Sequence, residues 1–581
     1  MDSIEEIKPL MRKHALLNAV KHDGSANKAA VIGKVLAERP ELKAFVKDIE
    51  KTVASLVDEI NLLTLSDQRK IVEENWPELL LEAKAREEKA LPPLANVDKY
   101  PQIITRYAPN PDCVLHLGNV RAIVLSHDYA RMYRGRFYLR FEDTDPRLKK
   151  PVLDFYDSIR EDLVWLGCKW DKEFIQSDRL PIYYEYVEKL LGVGGAYVCT
   201  CSKEAFSKLL LSKQPCPCRN LTLPEQLDRW GKMLSGFYRQ GEAIVRVKTD
   251  LTHPNPAVRD WPALRIIDSE KYPHPRVSRK YHLWPLYNLA CGLDDHLMGI
   301  THIIRGKEHI TNEVRQRYMY KHLGWEFPET IHYGRLKVVG ADLSKSKIMR
   351  AFDEGVVKNF GDPRLATLMA IRKRGLSPDG LRKIVSEVGT KPADITLSWE
   401  NIYALNRKIV DAIANRYFFV QNPILLQVSG LQKVFTSTPL LHPDYPERGC
   451  RQLEVKPTEG LAKLRISQSD MNLFEKGKVV RLMELFNVKI EDVKPNRIKA
   501  EFQSETYLDA KKLNAPLIHW LPEKENIRVS VVMPKAELAE GLGETGFANE
   551  NVNNIIQMER FGFGRVDEKN NQHILVYYAH K

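Results

Sequence analysis

The chain has 581 residues, of which 43% are hydrophobic and 28% are charged, as in an ordinary soluble protein long enough for several cores. Its 88 basic and 76 acidic residues leave a net charge of +12, which permits a polyanionic partner without requiring one. No apolar run reaches the roughly 18 residues of a membrane span, and the N-terminal MDSIEEIKPL lacks the apolar core of a signal peptide. We therefore expect a cytoplasmic protein with no membrane partner.

The N-terminal segment, residues 1–98, is predicted to be a helical module. Apolar residues recur there every three or four positions, which is the spacing of one helix face. This stripe consists of Phe45, Ile49, Val53, Leu56 and Ile60. The stretch LPPLANVDKYP follows, and its three prolines disfavour a helix and suit a stiff, extended connector.

Strands and helices alternate after this connector. Residues 103–107 and 136–142 (RFYLRFE) have the pattern of strands, and residues 152–166 have the periodicity of a helix that ends at Gly167. This order predicts a Rossmann-like α/β domain with a parallel sheet, whose ligands bind at the carboxyl ends of the strands. The two halves of the domain are residues 99–196 and 281–350.

The remaining segments complete a multidomain α/β protein. Residues 197–280 are predicted to be an insertion between the two halves, because a cysteine cluster leads there into the strand-like AIVRVKTD and ALRIID. Residues 351–415 are predicted to be helical, as in LATLMAIRKRG. In residues 416–581, short strand-like runs such as FFVQNPILLQV and HILVYYAH alternate with turns, which is typical of β-barrels.

The junction RYAPNPDCVLHLGN has the composition of a nucleotide site. Pro109 and Pro111 hold the turn extended, and Gly118 lets a flat base approach the backbone. The helix N-terminus that follows presents N–H groups to phosphates, and His116 can donate a hydrogen bond to a phosphate oxygen. About 230 residues later, the loop DLSKS, residues 342–346, combines serines and lysines as a mobile clamp on a triphosphate would. The two segments together are far more specific than either one alone.

These segments resemble the HIGH and KMSKS motifs of the class I aminoacyl-tRNA synthetases, and RYAPNPDCVLHLGN followed by RFEDTDP is similar to the glutamyl-tRNA synthetases. The resemblance continues through WPLYNLA, DDHLMGITHIIRGKEH and IIQMERFGFGRVD and covers nearly the whole chain. The helical N-terminus and β-rich C-terminus are similar to the archaeal branch, whose anticodon-binding half is shared with the glutaminyl enzymes. Two positions depart from the motifs: Asn119 stands in place of a histidine, and Asp342 in place of a lysine.

The resemblance implies a ligation in two steps. The α-carboxylate of L-glutamate attacks the α-phosphate of ATP, which carries Mg²⁺, and a terminal ribose hydroxyl of tRNA then takes the glutamyl group from the adenylate. The groups expected to stabilise the developing negative charge are His116, Ser344 and Lys345, with Lys345 preferred over Lys347. The ATP site that the resemblance implies consists of Pro109, His116, Gly118, Asn119, Glu308 and Lys345.

The resemblance also implies a glutamate pocket. Its residues are Arg106, Asn110, Glu142, Tyr287 and Arg305. Glu142 can hold the substrate ammonium group, and the guanidinium of Arg305 matches a side-chain carboxylate with two parallel hydrogen bonds. Glutamine would leave that charge without its partner, at a cost of about 2–5 kcal/mol. Arg305 therefore favours glutamate, since the glutaminyl relatives have no arginine at this position.

Four of the eight cysteines fall within twenty residues. Cys199 and Cys201 form a CTC pair and Cys216 and Cys218 a CPC pair, with fourteen residues between the pairs. Four thiolates on two short turns can make a tetrahedral, structural zinc site, and four reduced thiols are the alternative. The cluster lies where the acceptor-stem-binding insertion of the family begins. Cys291, where the bacterial enzymes commonly have asparagine, is left out of the predicted site.

The expected partners are L-glutamate and the tRNA for glutamate, bound by a monomer that contacts the tRNA stem through residues 351–415 and the anticodon through residues 416–581. No residue decides whether the tRNA for glutamine is charged as well. A glutaminyl-tRNA synthetase, a non-catalytic tRNA-binding paralogue and a nucleotidyl or base-modifying transferase of the same fold are the alternatives. Intact His116, Gly118 and Lys345 argue against the paralogue, and the large C-terminal half argues against the transferase.

Overall fold

The computed structural model describes residues 4–21, 24–76, 91–341, 343–570 and 572–581. The chain divides into two compact units, Met1–Ala90 and Leu91–Lys581. Among the described residues, no helix combines the length and the apolar character that crossing a membrane requires. The finer division into six segments stays a prediction.

The described part of the N-terminal unit is helical, as predicted, with α1 Ile4–Lys21, α2 Lys28–Glu38, α3 Val46–Ile60 and α4 Leu65–Asn75. The side chains of Asn27 and Thr64 begin α2 and α4 by accepting hydrogen bonds from backbone N–H groups of the first turn. The predicted apolar stripe is confirmed at four buried positions: Ile49, Val53, Leu56 and Ile60. It is wrong at Phe45, which is 45% exposed, because this residue precedes α3 and lies off its buried face.

The predicted parallel sheet follows the connector. Strands β1 Ile104–Tyr107, β2 Arg136–Phe141 and β3 Lys172–Ile175 pair in this order and all run parallel. The crossovers contain α5 Leu117–Met132 and α6 Leu153–Trp165. Both predicted strands and the predicted helix are therefore confirmed, each to within one residue at its ends.

The next segment forms an antiparallel sheet with helices. Its elements in chain order are α7 Leu180–Gly192, β4 Ala196–Cys199, α8 Lys203–Leu211, α9 Leu223–Leu234, β5 Ile244–Val247, β6 Pro262–Ile266 and β7 Leu283–Pro285. The four strands pair in chain order. Trp230, Trp261 and Trp284 are buried in the core between the sheet and its helices, and this core continues into residues 289–293 and 319–320, outside the predicted insertion 197–280.

The α/β pattern then resumes. Its elements are α10 Tyr287–Leu297, β8 His302–Gly306, α11 Ile310–Leu323, β9 Glu329–Tyr333 and β10 Leu336–Val338. Strands β8 and β9 pair in parallel. The backbone N–H of Thr301 donates to the carbonyl of Ile104, 2.9 Å away, so the start of β8 lies beside the start of β1. The carboxyl ends of β1, β2 and β8 therefore meet at one edge.

The segment predicted to be helical is mostly so. Its elements are α12 Lys345–Asp353, α13 Leu368–Lys373, α14 Pro378–Val388, β11 Ile395–Leu397 and α15 Trp399–Val410. The short strand β11, which the sequence did not predict, pairs in parallel with β10. The N–H of Leu117 donates to the carbonyl of Ala366, and the N–H of Leu368 to that of Leu115, both at 2.9 Å. These bonds join the helical segment to the beginning of α5.

The C-terminal segment is β-rich, as predicted. In chain order its elements are β12 Asn415–Tyr417, β13 Phe419–Gln421, β14 Pro423–Ser429, β15 Phe435–Ser437, β16 Leu453–Val455, β17 Ala462–Ser467, β18 Val479–Leu482, β19 Asn487–Lys494, β20 Arg497–Ser504, α16 Tyr507–Lys512, β21 Leu517–Ile518, β22 Leu521–Pro522, β23 Asn526–Val532, β24 Leu538–Glu544, β25 Ile555–Met558, β26 Gly562–Lys569 and β27 His573–His580. Two seven-stranded sheets result, in the orders β12-β25-β26-β27-β23-β24-β13 and β21-β18-β19-β20-β14-β17-β22. Each encloses its own apolar core in a barrel-like arrangement.

Candidate active site

A cavity of about 860 Å³ lies at the carboxyl ends of β1, β2 and β8, the edge where the parallel sheet predicts a ligand. All twelve residues that the sequence assigned to catalysis, ATP and glutamate line this cavity: Arg106, Pro109, Asn110, His116, Gly118, Asn119, Glu142, Tyr287, Arg305, Glu308, Ser344 and Lys345. They come from segments up to about 240 residues apart, which the tertiary structure brings together.

Backbone hydrogen bonds to the carbonyls of both prolines hold the proline-rich junction after β1 in place. The backbone N–H of Glu142 donates to the carbonyl of Pro109 at 2.8 Å, and that of Val152 donates to the carbonyl of Pro111 at 2.9 Å. A proline cannot donate, but its carbonyl still accepts and its ring fixes φ. The junction is therefore tied to the segment after β2, and the wall of the cavity that it forms is rigid.

His116 is the residue that caps the N-terminus of α5. Its Nδ1 accepts a hydrogen bond from the N–H of Gly118 at 3.1 Å, and the side chain of Asn119 accepts one from the N–H of His116 at 3.0 Å. Because the Gly118 N–H can only donate, Nδ1 is unprotonated and the ring proton of the neutral imidazole is on Nε2. Burial lowers the pKa of His116 to about 4. At neutral pH it is thus an uncharged donor at the cavity wall.

Gly118 allows a close approach that no other residue would. A Cβ at this position would lie 2.9 Å from Cε1 of His116 and 3.6 Å from Cδ1 of Leu343. A side chain would therefore displace the His116 ring, whereas its contact with Leu343 would be an ordinary van der Waals contact. The sequence suggested that glycine is needed here so that a flat base can approach. The packing against His116 is a second reason for glycine at this position.

Lys345 is the first residue of α12, directly after Ser344. Its ammonium group forms an ion pair with the buried carboxylate of Asp112, which belongs to the first motif. The hydroxyl groups of Ser344 and Ser346 lie 2.9 Å apart. The leading residue of the second motif, Asp342, lies outside the described residues. The two predicted motifs thus contact each other across the cavity.

A network of buried charges includes Arg106 and Glu142, which line the cavity, and two residues behind them. Arg106 donates to both carboxylate oxygens of Asp295, at 3.1 and 3.2 Å, and Arg140 donates to Asp295 at 2.8 Å and to Glu142 at 3.0 Å. Burial alone would raise the pKa of Asp295, but the two guanidinium groups hold it well below its usual range. Burial raises the pKa of Glu142, although Arg140 opposes the shift. The two positive and two negative charges balance.

Arg305, at the end of β8, has a different environment. Its side chain is buried and its Nη1 donates to Oε1 of Gln316 at 3.0 Å. Among the described residues, neither Nε nor Nη2 of Arg305 has a hydrogen-bond partner. Tyr287 shares this part of the cavity, and burial raises the pKa of its hydroxyl. Arg305 lines the cavity and carries a positive charge and two buried donors that have no partner among the described residues.

Sequence reasoning missed several residues that contact these side chains, among them Asp112, Arg140, Asp295 and Gln316. Helical spacing could have found Asp295, which stands eight positions after Tyr287 and so near the same face of α10. Strand spacing could have found Arg140, two positions before Glu142. Nothing in the sequence indicates Gln316, because its role depends on how α11 packs against the strand that carries Arg305.

The four clustered cysteines lie together at the start of the antiparallel sheet. Their sulfur atoms are all within 4.8 Å of one another, with Cys199–Cys216 at 3.9 Å and Cys201–Cys218 at 3.7 Å. A tetrahedral zinc ion with Zn–S bonds of about 2.3 Å places its sulfurs roughly 3.8 Å apart. The buried amide of Gln226 bonds to backbone groups next to both pairs. The arrangement fits a zinc ion.

Comparisons with known proteins cover almost the whole chain. A family model described as tRNA synthetases class I (E and Q), catalytic domain, matches residues 102–412, and two models for the anti-codon binding domain of the same class match residues 414–507 and 517–567. The chain is 50% identical over 583 residues to the glutamate–tRNA ligase of Thermococcus kodakarensis, covering 100% of both proteins. It is 49% identical over 582 residues to that of Pyrococcus furiosus, covering 99% of this chain and 100% of the relative.

Proposed function

The chain belongs to the class I tRNA synthetases for glutamate and glutamine, and on that premise we propose that it ligates L-glutamate to tRNA. The resemblance inferred from the motifs and the predicted fold class are thereby confirmed. In the first step a carboxylate oxygen of glutamate bonds to the α-phosphorus of ATP as the bond to pyrophosphate breaks. In the second, a ribose hydroxyl of tRNA attacks the acyl carbon, AMP leaves with its bonding electrons, and the hydroxyl proton passes to solvent.

The choice of glutamate rests on one observation, the two unpaired donors of the buried Arg305. A side-chain carboxylate satisfies both with parallel, charge-assisted hydrogen bonds. A glutamine side chain offers one acceptor and an N–H₂ group that cannot face a guanidinium. Glu142 would receive the substrate ammonium group, and Arg106, Asn110 and Tyr287 would complete the pocket.

The other half of the cavity would hold ATP. Pro109, Gly118 and Asn119 line the cavity around the start of α5, where the base and ribose would bind, and Glu308 lines the same cavity. The Nε2–H of His116 and the ammonium group of Lys345, with Ser344 beside it, are the donors that would stabilise charge on the phosphates. Mg²⁺ is expected to arrive on the triphosphate as part of this substrate.

The matches of the C-terminal half to anti-codon binding domains argue against the transferase, so two of the three alternatives from the sequence are left. A glutaminyl-tRNA synthetase would bury the charge of Arg305 without an anionic substrate, which is unfavourable. A non-catalytic tRNA-binding paralogue would have no use for His116, Gly118 and Lys345, which line one cavity. We therefore propose that the protein is a catalytic ligase. We also propose that it is cytoplasmic and monomeric, and that its C-terminal sheets bind the anticodon.

The experiment that tests this function is ATP-dependent charging with labelled glutamate on two separate transcripts, the tRNA for glutamate and the tRNA for glutamine. Charging of the first alone identifies an enzyme that discriminates between them. Charging of both identifies a non-discriminating enzyme whose second product an amidotransferase must correct. Charging of neither, with glutamine tested in parallel, would overturn the proposal.

We also propose that Cys199, Cys201, Cys216 and Cys218 hold a structural zinc ion. The four thiolates would supply its ligands and join the end of β4 to the turn before α9. Since this cluster does not line the cavity, the ion would stabilise the insertion and take no part in the ligation.

Elemental analysis is expected to find one zinc ion per chain in the native protein and none in the Cys199→Ser variant, because three thiolates hold zinc far more weakly than four. The loss of zinc should lower the thermal midpoint of the insertion. Cys450→Ser is the matched control, since Cys450 is exposed and belongs to the C-terminal segment. Native protein without zinc, or full retention of zinc in Cys199→Ser, would contradict the site.

A further inference from the structure

The three arginines around the amino-acid part of the cavity are not equivalent. Arg106 and Arg140 share the carboxylate of Asp295, and Arg140 also contacts Glu142. Among the described residues, the hydrogen-bond partner of Arg305 is the neutral amide of Gln316. The charges of the first two guanidinium groups are thus balanced inside the protein, whereas that of Arg305 is not.

The position of the Gln316 contact on the guanidinium also matters. Gln316 occupies Nη1 of Arg305, while Nε and Nη2 have no partner among the described residues. These two nitrogens lie on the same edge of the planar group and can bind both oxygens of one carboxylate. The contact with Gln316 therefore holds one corner of the guanidinium and leaves the two buried donors of its bidentate edge without a partner among the described residues.

We propose that Gln316 is a positioning residue for substrate selection: it orients Arg305 toward a side-chain carboxylate without neutralising it. This inference rests on the proposed function, since it concerns how the same pocket distinguishes glutamate from glutamine. Gln316 does not line the cavity, so it acts through Arg305 and not by touching the substrate.

Packing confines the side chain of Gln316, whose Nε2 has no hydrogen-bond partner among the described residues. Its side chain is fully buried on α11, where it packs against α10 at Gly292. A Cβ on Gly292 would lie 3.4 Å from Cγ of Gln316 and 2.5 Å from Cε of Met319, so the two helices approach closely at this point. Arg305 also fixes the orientation of the amide, because a rotated amide would turn its N–H₂ group against the guanidinium.

A carboxylate at this position would have a different effect. It would keep the hydrogen bond to Arg305, but its negative charge would take the place of the side-chain carboxylate of the substrate. An apolar side chain would do the reverse, leaving the charge intact and the guanidinium unanchored. An amide side chain of this size orients the guanidinium of Arg305 and leaves the positive charge of Arg305 available to a substrate.

The test compares Gln316→Met and Gln316→Glu with the unmodified protein in charging assays, in which glutamate and ATP are varied in turn while the other two substrates are saturating. Loss of a hydrogen bond to a charged group is expected to raise the KM for glutamate about tenfold in Gln316→Met. Competition for the charge of Arg305 is expected to raise it about a hundredfold in Gln316→Glu. The KM for ATP should stay within about twofold in both variants, and rejection of glutamine should weaken in Gln316→Glu.

Gln176→Met is the matched control, because Gln176 is equally buried and also bonds a charged side chain, Asp294, at 3.0 Å. It should lower the thermal midpoint without changing the KM for glutamate. Gln316→Glu is nearly isosteric and preserves the acceptor oxygen, so it remains informative if Gln316→Met folds poorly. The inference is overturned if the KM for glutamate in Gln316→Glu stays within about twofold of the unmodified protein, or if the KM for ATP rises in parallel. If the unmodified protein charges no tRNA with glutamate, it is the proposed function that fails.

Discussion

Arg305→Ala is expected to lower kcat/KM for glutamate by about a hundredfold or more, because the substrate carboxylate then enters a buried site without its cation. The KM for ATP should change by no more than about twofold, since the donors proposed for the phosphates are His116 and Lys345 on the other side of the cavity. Charging assays with each substrate varied in turn, at saturating concentrations of the other two, measure both constants.

Arg305→Lys is the informative companion to this variant. Lysine keeps the positive charge but cannot make two parallel hydrogen bonds, so its kcat/KM for glutamate should fall between those of the alanine variant and the unmodified protein. Equal losses for glutamate and ATP in Arg305→Ala would mean that the residue supports the whole cavity, and would contradict its role in selecting the amino acid.

His116→Asn is expected to lower kcat about a hundredfold while leaving the thermal midpoint nearly unchanged. Asparagine is a favourable N-cap residue, so it can accept the hydrogen bond from the first turn of α5 that Nδ1 now accepts. It lacks the Nε2–H that would stabilise charge on the phosphate, and removing one such donor costs roughly 10²–10³ in rate. Single-turnover charging and a thermal melt separate the two effects.

His116→Ala completes this comparison. It should show the same loss of kcat and in addition lose about 1 kcal/mol of stability, because the helix cap is removed as well. The pKa of about 4 lies below the ordinary value of 6.5, so His116 is neutral from pH 6 to 8 and should add no pH dependence to kcat there. If the kcat of His116→Asn equals that of the unmodified protein, His116 only caps the helix.

Much of the fold could be predicted from the sequence because it is encoded over short distances. The alternation of RFYLRFE and the apolar spacing of residues 152–166 each reflect a single element whose periodicity does not depend on its neighbours. Phe45 shows the limit of this reasoning. Its spacing matches the apolar stripe of α3, but it lies one position before the helix and is not on the buried face. The strand β11 was missed because its pairing with β10 crosses more than fifty residues.

The sequence by itself determined which chemical groups this protein has available: the histidine, glycine and lysine of two motifs, an arginine at the end of a strand, and two close pairs of cysteines. The tertiary structure decided how those groups are paired. Asp295 lies 189 residues from Arg106, and it pairs with the guanidinium groups of Arg106 and Arg140. The sequence alone does not distinguish these two arginines from Arg305, whose charge is not paired in this way. Gln316 leaves the charge of Arg305 available, and Gly118 sets the tautomer of His116. Electrostatic energies and hydrogen bonds depend on distances of a few ångströms between groups and on their burial, which residue spacing along a chain does not specify.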